Sequence, residues 1–309
     1  MIGVAILGSG FMARTHVGAW AGQEGRAAVR VVASRTLAGA TAVAETCGAE
    51  ATDDLAAAIG RDDVDVVDIC LPTPLHRPWA EAAFAAGKDV LLEKPIALTV
   101  EDAEAILAAR DASGRRLMIG FVLRFWPEYE ELHARLEAGA IGEARSVTAL
   151  RLSPPPDWND WMIDPAVSGG AAVDLMVHDL DQVAAILGTP RTVHARAVTA
   201  GPHDAAQHVV VVVDCEGGCA SVEGGLLLPA SYPFSSGIRV LGSEGILEYP
   251  FSAAPAADGG NIGGVDQSAN ALTVYPTGGT PERVDVESGD PWARQVAYLA
   301  DCIEGDEQP

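Results

Sequence analysis

Positive charge is scarce in this chain. Against 43 Asp and Glu it carries 20 Lys and Arg, a formal net charge of −23. A surface this acidic repels nucleic acid and anionic lipid, since both need clustered Lys or Arg to displace counterions. It also disfavours a polyanionic substrate, while leaving room for a local basic pocket around a phosphate. The field therefore favours a neutral small molecule.

Cysteine and aromatics are sparse too. The five cysteines, Cys47, Cys70, Cys215, Cys219 and Cys302, are odd in number and form no CxxC pair. That excludes a disulfide framework; Cys215 and Cys219 can approach across a hairpin, but reduced, buried thiols are the better reading. Aromatics at 6% against 49% hydrophobic residues leave cores built from Ala, Val, Leu and Ile. No apolar run approaches the roughly 20 residues that span a bilayer. Met1 to Leu7 is apolar but lacks a basic lead and runs into a glycine turn, so it reads as a strand, not a signal peptide. A cytoplasmic protein without nucleic-acid or membrane partners is expected.

What is present has a rhythm. Apolar runs at 2–7, 29–34, 65–71, 89–93 and 117–121 alternate with helical stretches at 12–20, 37–47, 78–86 and 99–113. Such alternation implies βαβ units, a parallel sheet and a doubly wound α/β domain over residues 1–121. From 122 to 309 the pattern becomes α+β. A helix near 127–138, a strand at 145–152 and a long helix over 170–187 precede strands at 192–199, 208–215, 219–227, 237–242, 245–249 and 271–276. Short strands joined by Gly-rich turns predict a mostly antiparallel sheet. His208 to Val213 reads as its central strand, buried on both faces. An open face of that sheet offers a homodimer or homotetramer interface. Residues 252–268 lack periodicity and read as a mobile loop.

Gly8-Ser9-Gly10-Phe11-Met12-Ala13 fits the dinucleotide fingerprint G-x-G-x-x-G/A, after a strand and opening a helix. Gly8 permits the tight turn, Gly10 lets the backbone approach a pyrophosphate, and Ala13 allows close helix–strand packing. Oriented N–H groups from Phe11 and Met12 onward then face the phosphates. The second strand ends in Ala33-Ser34-Arg35-Thr36, without the acid that binds an NAD ribose. A hydroxyl followed by a guanidinium suits a 2′-phosphate, so NADP is favoured over NAD. The alternative is an Arg35 that stacks on adenine without selecting the cofactor.

Downstream stand Leu71-Pro72-Thr73-Pro74-Leu75-His76, then Glu93-Lys94-Pro95 after the fourth strand, then Ser168-Gly169-Gly170 leading into Asp174-x-x-x-His178-Asp179. Taken with the fingerprint, these segments resemble the Gfo/Idh/MocA oxidoreductases, over nearly the whole chain and in the expected order. The resemblance implies a two-domain dehydrogenase or reductase that moves a hydride between nicotinamide and a sugar, inositol or related polyol or ketone bound between the domains. Leu71, Pro72, Thr73, His76, Glu93 and Lys94 would border the cofactor. It also implies a cis Glu93–Lys94 peptide, Lys94 as donor to a substrate oxygen and His178 as acid/base. Asp174, at i, i+4 from His178, would orient the imidazole and raise its pKa. With one His among local acids, no metal is expected.

Several assignments stay open at this level. His76 serves chemistry, a ribose contact or helix capping. Arg124, Trp126 and Tyr129 line the substrate pocket or pack between domains. Asp179 reaches a polyol hydroxyl or stays solvated, and Trp158 and Trp161 could form a lid. The family also includes glycoside-cleaving and non-catalytic sensor relatives, and imine- or pyrrole-type reduction is a further alternative. Finally, relatives continue past the 292–303 helix into one more helix that packs on the first domain, so either this end is naturally short or, if the chain is truncated, the first domain exposes an apolar groove.

Overall fold

Ile2 to Leu7 is buried along its whole length, as a strand covered on both faces must be. In the computed structural model, which describes residues 1–155, 164–200, 205–253 and 270–309, it is β1 of a six-stranded sheet. With β2 (Ala27–Ala33), β3 (Glu50–Thr52), β4 (Val66–Ile69), β5 (Asp89–Leu92) and β6 (Leu117–Ile119), the order is β3-β2-β1-β4-β5-β6. Every pairing is parallel. The order reverses between β1 and β4, which is where open α/β sheets bind ligands beyond their carboxyl ends.

Helices α1 (Phe11–Ala21), α2 (Leu37–Ala44), α3 (Leu55–Ile59), α4 (His76–Ala85) and α5 (Val100–Ser113) make the crossovers. Local chemistry sets their ends. Thr99 caps α5 by accepting from the Asp102 N–H, Glu101 and Asp102 lie in its first turn, and Gly114 closes it at φ 67°. The short β3 and α3 are not visible in the hydrophobic pattern; Glu50-Ala51-Thr52 has no apolar run and pairs only as an edge.

This unit comprises Met1–Phe125 and also Gly289–Pro309. The division expected at 121/122 falls four residues early, and the last segment belongs with the first domain rather than the second. Its helix α9 (Pro291–Glu304), capped by Asp290, buries Val296, Leu299 and Ala300 in the same core as Val17 and Trp20 of α1. Arg116 holds the tail beyond it, pairing with Asp89 at 3.0 Å and donating to the Glu307 carbonyl at 2.7 Å.

The second unit is Trp126–Ser288. After α6 (Pro127–Glu137), an eight-stranded sheet has the order β14-β13-β12-β11-β7-β10-β9-β8. Its strands are β7 (Ala144–Leu152), β8 (Pro190–Ala200), β9 (Ala205–Cys215), β10 (Gly218–Gly225), β11 (Phe234–Gly242), β12 (Gly245–Ala253), β13 (Thr273–Pro276) and β14 (Glu282–Arg283). All pairs are antiparallel except β7–β10. In the valine run of β9, Val209, Val211 and Val213 are buried, whereas Val210 and Val212 are 42% and 47% exposed. The valine run is therefore one-faced, its alternate side chains turned to an exposed face of the sheet. Cys215 pairs with Gly218 and Cys219 with Asp214, and both thiols are free.

The long helix expected over 170–187 is interrupted. A short α7 (Pro165–Ser168) ends at Gly169 (φ 76°), Gly170 follows at φ 73°, and Ala171–Leu175 forms a π turn. α8 (Val177–Leu187) then begins after Met176. Met176 fills the space that a Cβ on Gly224 of β10 would take, so this junction lies directly on the sheet. Among the described residues no helix is long and apolar enough to cross a membrane. Trp158, Trp161 and most of 252–268 lie outside the described residues.

Candidate active site

Parallel strands put all their carboxyl ends at one sheet edge, and the expected cofactor residues of the first unit gather there. Gly8 to Gly10 follow β1, Ser34 and Arg35 follow β2, Leu71 to His76 follow β4, and Glu93-Lys94 follow β5. The two fingerprint glycines play different parts. Gly8 sits at φ 130°, and a Cβ there would overlap the Cys70 carbonyl oxygen. Gly10 is the N-cap of α1 at φ −79°, and no protein atom lies within 4 Å of where its Cβ would stand. No side chain caps α1 and its first turn has no acid. An open, uncapped helix N-terminus of this kind fits a pyrophosphate. Phe11 is half exposed, Met12 half-buried, and Ala13 fully buried against the core, as close helix–strand packing requires.

At the end of β2 the hydroxyls of Ser9, Ser34 and Thr36 converge: each oxygen lies within 3.2 Å of the point a Cβ on Gly39 would occupy. Thr36 caps α2 by accepting from the Gly39 N–H at 3.2 Å, and Ser34 donates to the Thr36 carbonyl at 3.0 Å. Arg35 is exposed beside them.

Glu93 is buried at 7% exposure and Lys94 is half-buried. The cis peptide is Lys94–Pro95, not Glu93–Lys94. The imide nitrogen of proline removes most of the trans preference, which an ordinary amide keeps. His76 is 1% exposed; its Nδ1 lies 2.9 Å from the Pro95 carbonyl oxygen and its Nε2 2.9 Å from that of Leu71. Burial pushes its pKa below the ordinary histidine range, against the pull of those carbonyls. The ring therefore braces the loop after β4 against the Lys94-Pro95 loop.

Under this edge lies a set of polar side chains that pattern reading missed. His16 of α1 and Asp68 of β4 are both wholly buried. The signal was an acid inside Val66-Val67-Asp68-Ile69, a strand otherwise apolar.

In the second unit, Asp174 is buried within the π turn and His178 is half-buried on α8. The two stand in different elements, Asp174 in the π turn and His178 in α8, rather than in the single regular helix assumed for their i, i+4 spacing. Asp179 neither reaches a substrate nor stays solvated. It is 1% exposed, and its two carboxylate oxygens accept from Arg151 Nε at 2.8 Å and Nη2 at 3.0 Å. This bidentate pair ties α8 to β7, and His133 Nε2 at 2.8 Å from Gln182 Oε1 ties it to α6. Trp126 packs edge-on against Phe251 at 5.7 Å, Tyr129 is buried against Tyr249, and Arg124 lies exposed over Phe121.

Two family models match. Residues 2–121 match the oxidoreductase family with an NAD-binding Rossmann fold, and residues 129–248 match the GFO/IDH/MocA C-terminal domain. The chain belongs to the Gfo/Idh/MocA family. It is a nicotinamide-dependent oxidoreductase, and Rossmann domain and mixed sheet are those of that family. It is 30% identical over 279 residues, 88% of this chain and 76% of the relative, to a dTDP-3,4-didehydro-2,6-dideoxy-alpha-D-glucose 3-reductase of Streptomyces violaceoruber. It is 32% identical over 286 residues to a D-xylose 1-dehydrogenase (NADP(+)) of Haloferax volcanii, covering 90% of this chain and 82% of that one. Among solved structures, a 3-ketoreductase from Actinomadura kijaniata in complex with NADP and TDP-benzene superposes with a TM-score of 0.85 at 25% identity, over 100% of this chain and 91% of that one.

Proposed function

We propose that this family member is an NADP-preferring sugar or polyol dehydrogenase or reductase. The observation that carries the substrate class is the motif set Lys94, Asp174 and His178, intact in a chain whose relatives act on a xylose and a deoxy-keto-sugar. Lys94, at the carboxyl edge of β5, donates to the oxygen of the reacting carbon and stabilises negative charge there. His178 Nε2 or Nδ1 takes or returns the hydroxyl proton, and Asp174 orients the ring. When bound, the nicotinamide supplies the hydride acceptor or donor. Leu71, Pro72 and Thr73 border it, and the open N-terminus of α1 takes the pyrophosphate.

The convergent hydroxyls of Ser9, Ser34 and Thr36, with Arg35 next to them and no carboxylate among them, support NADP over NAD. The two reductases that handle thymidine-diphosphate groups favour a second reading, in which the sugar is nucleotide-linked. The net charge of −23 argues for the uncharged sugar. Absorbance at the reduced-nicotinamide band, with NADP and NAD against inositols, aldoses, lactones and a thymidine-diphosphate keto-sugar, separates these readings. Turnover is expected with a free polyol or sugar, and near-complete loss in Lys94→Ala and Lys94-intact His178→Ala. Full turnover in both variants overturns the mechanism.

Self-association through the open sheet face is part of the same proposal. Strand register places Val210, Val212, Leu241 and Tyr275, all at least 40% exposed, on one face with Arg196, Glu223, Arg239 and Glu248.

A further inference from the structure

Lys94 needs a fixed backbone if its side chain is to meet a substrate oxygen, and the buried polar set beneath it offers a means. His16 Nδ1 lies 3.0 Å from both carboxylate oxygens of Asp68. On the other side, His16 Nε2 lies 3.0 Å from Glu93 Oε1, a charge contact without hydrogen-bond alignment. Glu93 Oε2 in turn accepts from the Lys94 backbone N–H at 3.1 Å. Asp68 is held from behind by Trp20 Nε1 at 2.8 Å, and the Cys70 thiol lies 3.4 Å from its Oδ1. Gly120, after β6, closes the opposite wall: a Cβ there would stand 3.2 Å from Glu93 Oε1. One chain of contacts thus runs from Asp68 of β4 through His16 of α1, the helix that opens at the glycine turn, to Glu93 and the peptide that carries Lys94.

We propose that Asp68, His16 and Glu93 form a positioning array that couples the cofactor-binding helix to Lys94, with His16 held as an imidazolium between the two carboxylates. This rests on the reading of Lys94 as a catalytic residue. The protonation follows from donor counting. A neutral imidazole has one N–H and one lone pair, while both of its nitrogens here face carboxylate oxygens, which only accept. A lone pair 3.0 Å from Glu93 Oε1 repels it; a second N–H attracts. Burial alone would lower the His16 pKa, but the charge and hydrogen bonds of Asp68 hold it well above the ordinary histidine range. Burial, with Asp68 beside it, raises the Cys70 pKa, so the thiol stays neutral and adds no further anion. His16, Asp68 and Cys70 also lie close enough to suggest a metal, but an imidazolium has no lone pair to give one.

His16 and Asp68 are wholly buried and reach Lys94 only through Glu93, so they act as positioning residues. Their role is read first in the unsubstituted protein: the ring nitrogens of His16 are expected to show imidazolium nitrogen shifts by NMR over the pH interval just above the ordinary histidine value of about 6.5, where a free imidazole is neutral. A neutral tautomer over that interval overturns the proposal. Second, Asp68→Asn keeps the shape and removes the charge. Its Lys94 amide is expected to exchange with solvent at least about tenfold faster, and kcat to fall about 10–100-fold with KM for cofactor within about twofold. The pH profile of kcat should gain a histidine-like limb that the parent lacks. An unchanged Lys94 amide and profile in a folded Asp68→Asn overturn the coupling. If instead Lys94→Ala keeps full turnover, the catalytic reading of Lys94 fails while the imidazolium and the amide response still decide the array.

Discussion

An alanine at Gly8 has to adopt φ 130° and overlap a backbone carbonyl, whereas an alanine at Gly10 keeps φ −79° and meets no protein atom. Gly8→Ala is therefore expected to cost about 2–3 kcal/mol of stability, read from the denaturant midpoint. Gly10→Ala should cost at most about 1 kcal/mol, since alanine is the poorer cap, yet weaken NADP at least about tenfold in equilibrium titration. If Gly10→Ala binds NADP normally, the open face of that turn is not the phosphate bed. Two histidines carry opposite pH signatures. The folded-state pKa of His16 is raised, so the stability it adds is complete below about pH 6.5 and disappears as pH climbs through its raised value. The folded-state pKa of His76 is lowered by burial, so its contribution is complete above about pH 6.5 and disappears as pH falls through its lowered value. Urea midpoints of His16→Gln and His76→Gln against pH should thus converge on the parent at opposite ends of the scale. The fingerprint glycines, Lys94 and the Ser34-Arg35 pair could be read from sequence because each sits at the end of a patterned strand. His16 and Asp68 could not, because what makes them a unit is a contact between residues 52 apart.

At the scale of elements, α8 is fastened by one buried ion pair. Removing one partner leaves a charge in a dry site, so Asp179→Ala is expected to cost about 3–5 kcal/mol in unfolding free energy. Replacing both partners, as Arg151→Met with Asp179→Leu, should recover most of that loss. A double variant as unstable as the single one would show that the pair, and not the stranded charge, supplies the stability. The strands of the first sheet other than the edge strand β3 were legible as largely apolar runs, since parallel strands are buried on both faces. The same rule misread the valine run of β9, whose alternate residues face outward; an unbroken run of Val fits either environment. The π turn carries no periodic signal of its own. Gly169-Gly170 was its only trace, and two glycines before a helix also suit an ordinary loop.

For the whole molecule, the open sheet face sets the expected assembly. Val212→Asp combined with Leu241→Asp should reduce the mass measured by sedimentation to that of one chain, 32.0 kDa, while NADP binding is retained. A parent that already sediments as a single chain removes the proposed interface.

The return of α9 to the first unit has a bearing on how the molecule is made. A ribosome delivers residues 1–125 before the 126–288 unit, but the core they surround lacks Val296, Leu299 and Ala300 until α9 has been synthesised. The nucleotide domain, although first in order of synthesis, is the last to be completed, and the 126–288 unit can close before it. During translation the apolar face of α1 is left waiting for a helix some 270 residues downstream, as the Gln23 to Ala293 hydrogen bond measures. A nascent chain arrested before residue 289 should therefore be held by chaperones or cut within its first 125 residues, while the later unit already resists protease.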